Sequence, residues 1–144
     1  LIVSTLWGAH LAESADDESL TYYVQLIRGT DRDVPEDPKW KPLGERLSQK
    51  LSSVFRMKHY WEVNRQKTTV KKGKVTRTRL NKEREVEIEL RDQDIVEIRL
   101  FRNGVLTRKT DGPKSTRTRI LGGDKGGEEF WFVVVRRDPP QAQD

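Results

Sequence analysis

Two stretches of this chain carry apolar side chains on both faces of an extended backbone, and they constrain the fold more than any other feature. They are LTYYVQLIRGT (20–30) and FWFVVVRRD (130–138). Side chains alternate between the two faces of a strand, so a strand that is apolar on both faces has to be covered on both sides. We therefore predict that residues 22–27 and 130–135 are interior strands, that they lie under a helix, and that they pair with each other.

A single segment has helical periodicity, PLGERLSQKLSSVFRMKHY, which begins at Pro42. Pro42 suits the first helical position, where its missing N–H is not needed. His59, near the predicted end of the helix, suits the dipole there. The predicted apolar stripe, which ends in a lysine, consists of Leu43, Leu47, Leu51, Val54, Phe55 and Lys58.

The rest of the chain has the pattern of antiparallel strands separated by turns. Residues 85–90 alternate, with Val86, Ile88 and Leu90 facing inward, and Asn103-Gly104 is a strong hairpin signal. The glycine-rich residues 122–129 are predicted to form a long hairpin loop. The expected fold class is α+β: a twisted antiparallel sheet of about six to eight strands that curls toward a half-barrel, with one amphipathic helix packed on a face. The predicted strands are 20–30, 59–70, 75–80, 85–90, 95–101, 105–110, 115–121 and 130–138.

The first twelve residues, LIVSTLWGAHLA, are uncharged and mostly apolar, and they end in a small residue before an acidic, serine-rich stretch. This pattern favours a truncated secretory signal peptide, although a buried first strand or helix has a similar composition. We therefore divide the chain into a signal segment (1–12), a linker (13–19), a single domain (20–138) and a disordered tail (139–144). Export predicts a periplasmic or secreted protein, and a chain that is not exported would be cytoplasmic.

Two copies of a Thr-Arg-Thr-Arg stretch, VTRTRL and STRTRIL, raise the question of polyanion binding. Each pair of arginines shares a strand face, so Arg77 with Arg79 and Arg117 with Arg119 could hold phosphates, or could belong to ordinary solvated strands. The first pair is followed by a glutamate-rich strand, and cross-strand Arg–Glu pairs would neutralise it. The second pair has fewer acidic neighbours. The candidate basic patch consists of Arg77, Arg79, Arg117, Arg119, Lys125, Arg136 and Arg137.

The charge distribution also bears on nucleic acid binding. Residues 1–63 hold 8 Lys/Arg and 10 Asp/Glu, whereas residues 64–144 hold 20 and 13, and a basic half raises the expectation of an anionic partner. Single-strand binding surfaces combine such charge with exposed aromatic side chains. Tyr60 and Trp61 form the only candidate aromatic ledge near basic residues. The sequence has no helix-turn-helix, zinc-finger, KH or RNP motif.

Catalytic and metal-binding constellations are sparse. There is no cysteine, which excludes disulfides, thiolate metal sites and cysteine nucleophiles in this sequence. His59 has no accompanying nucleophile motif, and the Asp-x-Asp pairs at 31–33 and 92–94 are typical of turns. We expect no enzyme activity, no catalytic residues, no cofactor and no metal.

These observations favour an exported, non-catalytic binding or adaptor domain, accessory to an envelope assembly. Its expected partner is a protein or an envelope polymer, recruited by a sheet edge, and the mature chain is expected to have no stable membrane span. The alternative is a basic, β-rich domain that binds nucleic acid or another polyanion.

Overall fold

The computed structural model of the protein describes residues 18–126, 129–141 and 144. The predicted signal segment 1–12 lies outside the described residues, as does most of the predicted linker. These described residues form one helix, α1, and nine strands. The order is β1 (Ser19–Thr30), β2 (Lys41–Pro42), α1 (Glu45–Phe55), β3 (His59–Lys71), β4 (Val75–Arg79), β5 (Arg84–Leu90), β6 (Ile95–Arg102), β7 (Val105–Pro113), β8 (Thr118–Gly126) and β9 (Glu129–Arg136), with a short 3-10 turn at Asp92–Asp94 before β6.

The strands form two antiparallel sheets. One has five strands in the order β2-β3-β1-β9-β8, and the other has four in the order β4-β5-β6-β7. The α+β class with antiparallel strands is therefore confirmed, but the strands are divided between two sheets where a single curled sheet was expected. The division follows from the chain path, because β4 pairs with β5 and not with β3. Within the described ranges, one isolated bridge, Lys72 to Leu90, links the two sheets.

The two strands predicted to be interior pair with each other at the centre of the five-stranded sheet, with Val24 opposite Val135 and Leu26 opposite Val133. These four side chains belong to the core between the two sheets. The inward residues of β5, Val86, Ile88 and Leu90, supply the opposite wall and are fully buried, as their alternation predicted.

The other face of the five-stranded sheet is covered by α1. Leu47 and Leu51 of the helix pack against Ile27 of β1 and against Phe132 and Val134 of β9. The interior strands are thus covered on both sides, by the helix on one face and by the four-stranded sheet on the other.

The helix is shorter than the sequence pattern predicted. Pro42 is not helical, because it belongs to β2 and pairs with Trp61 of β3. The helix ends at Phe55, since Arg56 adopts a left-handed conformation (φ 55°, ψ 38°) and donates its N–H to the Ser52 carbonyl. His59 is consequently the first residue of β3, outside the helix.

Three further details of the sequence prediction were wrong. Val54 is exposed, although it was placed on the apolar stripe, because α1 turns only one narrow face to the sheet. Strand β8 begins at Thr118 and not at 115, and it continues to Gly126. Residues 122–126 are therefore part of a strand, paired with β9 around a bulge, where the glycine content had predicted a loop.

Candidate partner-binding groove

The first Thr-Arg-Thr-Arg stretch forms β4, and its arginines lie on the outer face of the four-stranded sheet. Arg77 and Arg79 both pair with Glu85 of the next strand, with nitrogen–oxygen distances of 2.6 Å and 2.8 Å. The guanidinium of Arg77 also lies 4.6 Å from the centre of the Phe101 ring. The predicted cross-strand neutralisation of these arginines is confirmed, so the first stretch has a sufficient structural role.

The same outer face has a completely buried carboxylate at its centre. Glu97 of β6 lies 2.9 Å from Arg99 and 3.1 Å from Lys109, and it also pairs with Arg91. Burial alone would raise the pKa of Glu97, but the hydrogen bond from Lys109 and the charges of Arg91, Lys109 and Arg99 outweigh burial and hold the pKa below its ordinary value. The ionised carboxylate therefore holds together cations from β6, from β7 and from the residue after β5.

The two arginines of the second Thr-Arg-Thr-Arg stretch have different partners. Arg117 precedes β8 and makes two hydrogen bonds to Asp138, at 3.0 Å and 2.6 Å, which lower the pKa of that carboxyl. Arg119 instead lies within β8 and points toward the inner side of the sheet. It donates to the carbonyl oxygens of Val96 (3.1 Å) and Pro113 (3.2 Å) on the other sheet.

The remaining members of the predicted basic patch also separate. Arg136 faces the helix side and pairs with Asp144 at 3.1 Å. Arg137 donates to the Lys114 carbonyl (3.1 Å) and lies over the ring of Tyr22. The side chain of Lys125 lies outside the described residues. Since β4 and β7 are opposite edges of the four-stranded sheet, the structure does not bring Arg77 and Arg79 together with the arginines of β8.

The predicted aromatic ledge is also divided, because neighbouring residues of β3 face opposite sides of the sheet. Tyr60 is buried under α1, and its hydroxyl accepts a hydrogen bond from the Met57 N–H (3.2 Å). Trp61 stacks on His59, with ring centres 5.8 Å apart. His59 in turn contacts Asp33 at 3.1 Å.

The two sheets leave a groove between the edge strands β7 and β8. It has a volume of about 400 Å³ and is lined by residues 108–110 of β7 and residues 119–122 of β8. Arg119 spans one end of the groove through its bonds to Val96 and Pro113. Gly112 leaves space for this guanidinium, because a Cβ on Gly112 would lie 2.7 Å from its Nη2 atom.

The free edge of β7 has backbone groups available for pairing. Lys114 donates its N–H to the Asp94 carbonyl (2.8 Å), directly beyond the last β6–β7 pair. Hydrogen-bonded pairs alternate with non-bonded pairs in an antiparallel ladder, so Gly112, Thr110 and Arg108 bond to β6. The N–H and C=O groups of Lys109 and Asp111 therefore point away from β6, along the free edge.

Arg108 is the residue of this groove that sequence reasoning missed. A bulge between β6 and β7 places it opposite Leu100, on the inner side of the sheet. It is exposed and makes no hydrogen bond or ion pair with any described residue. Nothing in the sequence VLTRKT marks the position of the bulge, so no local signal could have identified Arg108.

A second cleft, of about 600 Å³, lies near the start of β9 and includes Trp40 and Trp131. The Trp131 ring has the guanidinium of Arg84 at 4.0 Å and that of Arg28 at 4.9 Å, and Trp40 meets it edge-on. The protein's own cations therefore already occupy positions over this indole.

Within the described ranges, no three His, Asp or Glu side chains form a group that could hold a metal ion. The same part of the chain has no helix with the length and hydropathy of a transmembrane span. Comparison with protein-family models, with curated proteins and with solved structures finds no match to this chain.

We expect Glu97→Gln to lower the free energy of unfolding by about 1–3 kcal/mol at pH 7, because it removes the charge shared by Arg91, Arg99 and Lys109. Because the pKa of Glu97 is lower in the folded state than the value of about 4.3 expected in the unfolded state, its ionisation stabilises the fold at pH values above about 4.3. This stabilisation is lost as the pH falls through the folded-state pKa. Urea unfolding of both proteins should show the full difference at pH 7 and a smaller difference at pH 3, which lies below the unfolded value.

The matched control is Glu87→Gln, which removes the same charge from a half-buried position beside Arg99, where Glu89 and Glu97 remain. We expect a change below about 1 kcal/mol. An equal loss for Glu97→Gln at both pH values would contradict the role assigned to its ionised form.

Proposed function

We propose that this chain is an exported, non-catalytic binding domain that takes an extended segment of a partner protein along β7, in the groove between β7 and β8. The observation that carries the proposal is the pair of unpaired edges facing each other across this groove. An exposed edge offers backbone donors and acceptors to an added strand, which is a common mode of peptide recognition.

Edge strand β7 has the length that strand addition requires. It spans nine residues, Val105–Pro113, and most of its side chains are exposed. Its bulge and the inward-facing Arg108 are features that protect edges against indiscriminate pairing. These features favour a selective edge, at which a partner has to match the groove before its backbone can pair.

The alternative function, polyanion binding, is supported by fewer arginines than the sequence suggested. Arg77, Arg79, Arg117 and Arg136 are paired with carboxylates. The observation that keeps this alternative open is the group of Arg108, Arg119 and Arg137, which have backbone carbonyls as partners or no partner among the described residues.

Export is supported by the apolar pattern of residues 1–12 and has its own test. The protein expressed from its natural gene should appear in the periplasmic or secreted fraction, and its intact mass should correspond to a chain that begins near Glu13. A cytoplasmic product that retains residues 1–12 would contradict export without bearing on the groove.

Strand addition predicts a specific effect of proline at the free edge. Asp111→Pro removes an N–H that points away from β6, so the β6–β7 ladder should survive and the domain should fold. Binding would be measured by calorimetry with three peptides of about ten residues, the length of a long strand, in which Thr alternates with Glu, Gln or Lys. The peptide that binds most tightly should bind Asp111→Pro at least about tenfold more weakly.

Asp111→Ala is the matched control, because it makes the same charge change and keeps the N–H. We expect its affinity to stay within about twofold of the parent. If the alanine and proline variants lose affinity equally, the backbone of β7 is not the binding element. If none of the three peptides binds the parent, the proposed function is wrong.

A further inference from the structure

We infer that the segment bound in this groove is acidic, with carboxylate side chains at alternate positions. The inference rests on the proposed function and specifies the partner's chemistry. Its basis is the contrast between two kinds of arginine in the fold. Those on the outer face of the four-stranded sheet are neutralised by carboxylates, and those in the groove have no carboxylate partner in the part of the chain that the structure describes.

The groove arginines face the same side of their respective sheets. Arg108 lies opposite Leu100, and Arg119 lies opposite Val135, and both of these partners point into the core between the sheets. The two guanidiniums therefore approach the groove from its two walls, one from each sheet. Their charges are not balanced by any carboxylate among the described residues.

Arg119 keeps donors available although it already makes two hydrogen bonds. A guanidinium has five N–H donors, and Arg119 uses one on Nη1 and one on Nη2 for the Val96 and Pro113 carbonyls. Arg108 uses none within the described residues. Both can donate to a carboxylate, which is the planar acceptor that a guanidinium fits best.

The spacing of the acidic residues follows from strand geometry. A segment paired with β7 would present every second side chain to the inner side of the groove, where Arg108 and Arg119 lie. Beside them the groove is also lined by Leu121, which is buried and belongs to the core between the two sheets. Carboxylates at alternate positions would meet the arginines, and consecutive carboxylates would place half of their charges on the outer side.

Lys109 of β7 does not add its charge to the inner side of the groove. Its side chain faces the outer side, where its ammonium is already engaged by Glu97 at 3.1 Å. The outer face thus has less positive charge to offer a bound segment than the inner side of the groove.

The experiment compares the affinities of the full chain for four peptides of about ten residues. In three of them Thr alternates with Glu, Gln or Lys, and the fourth has the composition of the glutamate peptide with its glutamates consecutive. We expect the alternating glutamate peptide to bind about tenfold more tightly than the glutamine peptide, and more tightly than the consecutive-glutamate and lysine peptides. Its advantage should shrink as salt is added.

Two variants and one control test whether Arg108 and Arg119 are responsible for the preference for the glutamate peptide. Arg108→Gln removes no hydrogen bond or ion pair with a described residue, so it should fold normally and reduce the glutamate preference about threefold. Arg108→Gln combined with Arg119→Gln should abolish the preference. Arg77→Gln with Arg79→Gln makes the same charge change on the opposite edge and should leave the preference unchanged.

The outcomes separate this inference from the proposed function on which it rests. Equal binding of the glutamate and glutamine peptides, sensitive to Asp111→Pro, would overturn the inference and leave strand addition in place. If a DNA oligonucleotide or a sulfated polysaccharide binds as tightly and loses affinity in the same arginine variants, the groove recognises charge alone. That result would also overturn the inference, in favour of the polyanion alternative.

Discussion

The pairing of β1 with β9 is the constraint on which the rest of the fold depends. Both strands are buried on both faces, so each face of the five-stranded sheet needs its own cover. The helix α1 covers one face and the four-stranded sheet covers the other. One side of this arrangement is joined where β3 passes into β4, and on the other side β7 and β8 remain unpaired edges. The groove is therefore a consequence of how the central strands are covered.

The arginines of this basic chain divide according to this architecture. On the outer face of the four-stranded sheet, arginines form ion pairs with glutamates of neighbouring strands, and the buried carboxylate of Glu97 pairs with three cations. Such pairs stabilise a solvated sheet and leave little charge for a ligand. In the groove, the inner-facing Arg108 and Arg119 have no carboxylate partner among the described residues. The positions of Arg108 and Arg119 are therefore a better guide to the chemistry of a partner than the net charge of the chain.

Period-two patterns predicted well wherever one strand face is buried. The inward set Val86, Ile88 and Leu90 and the turn at Asn103-Gly104, both with positive φ, appear as the sequence indicated. The prediction failed where tertiary contacts override local pattern. Pro42 belongs to a short strand because it pairs with β3, and Val54 is exposed because it lies outside the face of α1 that contacts the sheet. The groove could not be predicted, because it depends on the division into two sheets and on a bulge that turns Arg108 inward.

The most direct test of the account is amide hydrogen exchange of the full chain, measured by NMR with and without the alternating glutamate peptide. The account predicts that the amides of Lys109 and Asp111, which point to the free edge, become protected when the peptide binds. The neighbouring amides of Thr110 and Gly112 already bond to β6 and should change little. Binding without protection of Lys109 and Asp111, or with protection only on β8, would contradict strand addition at β7.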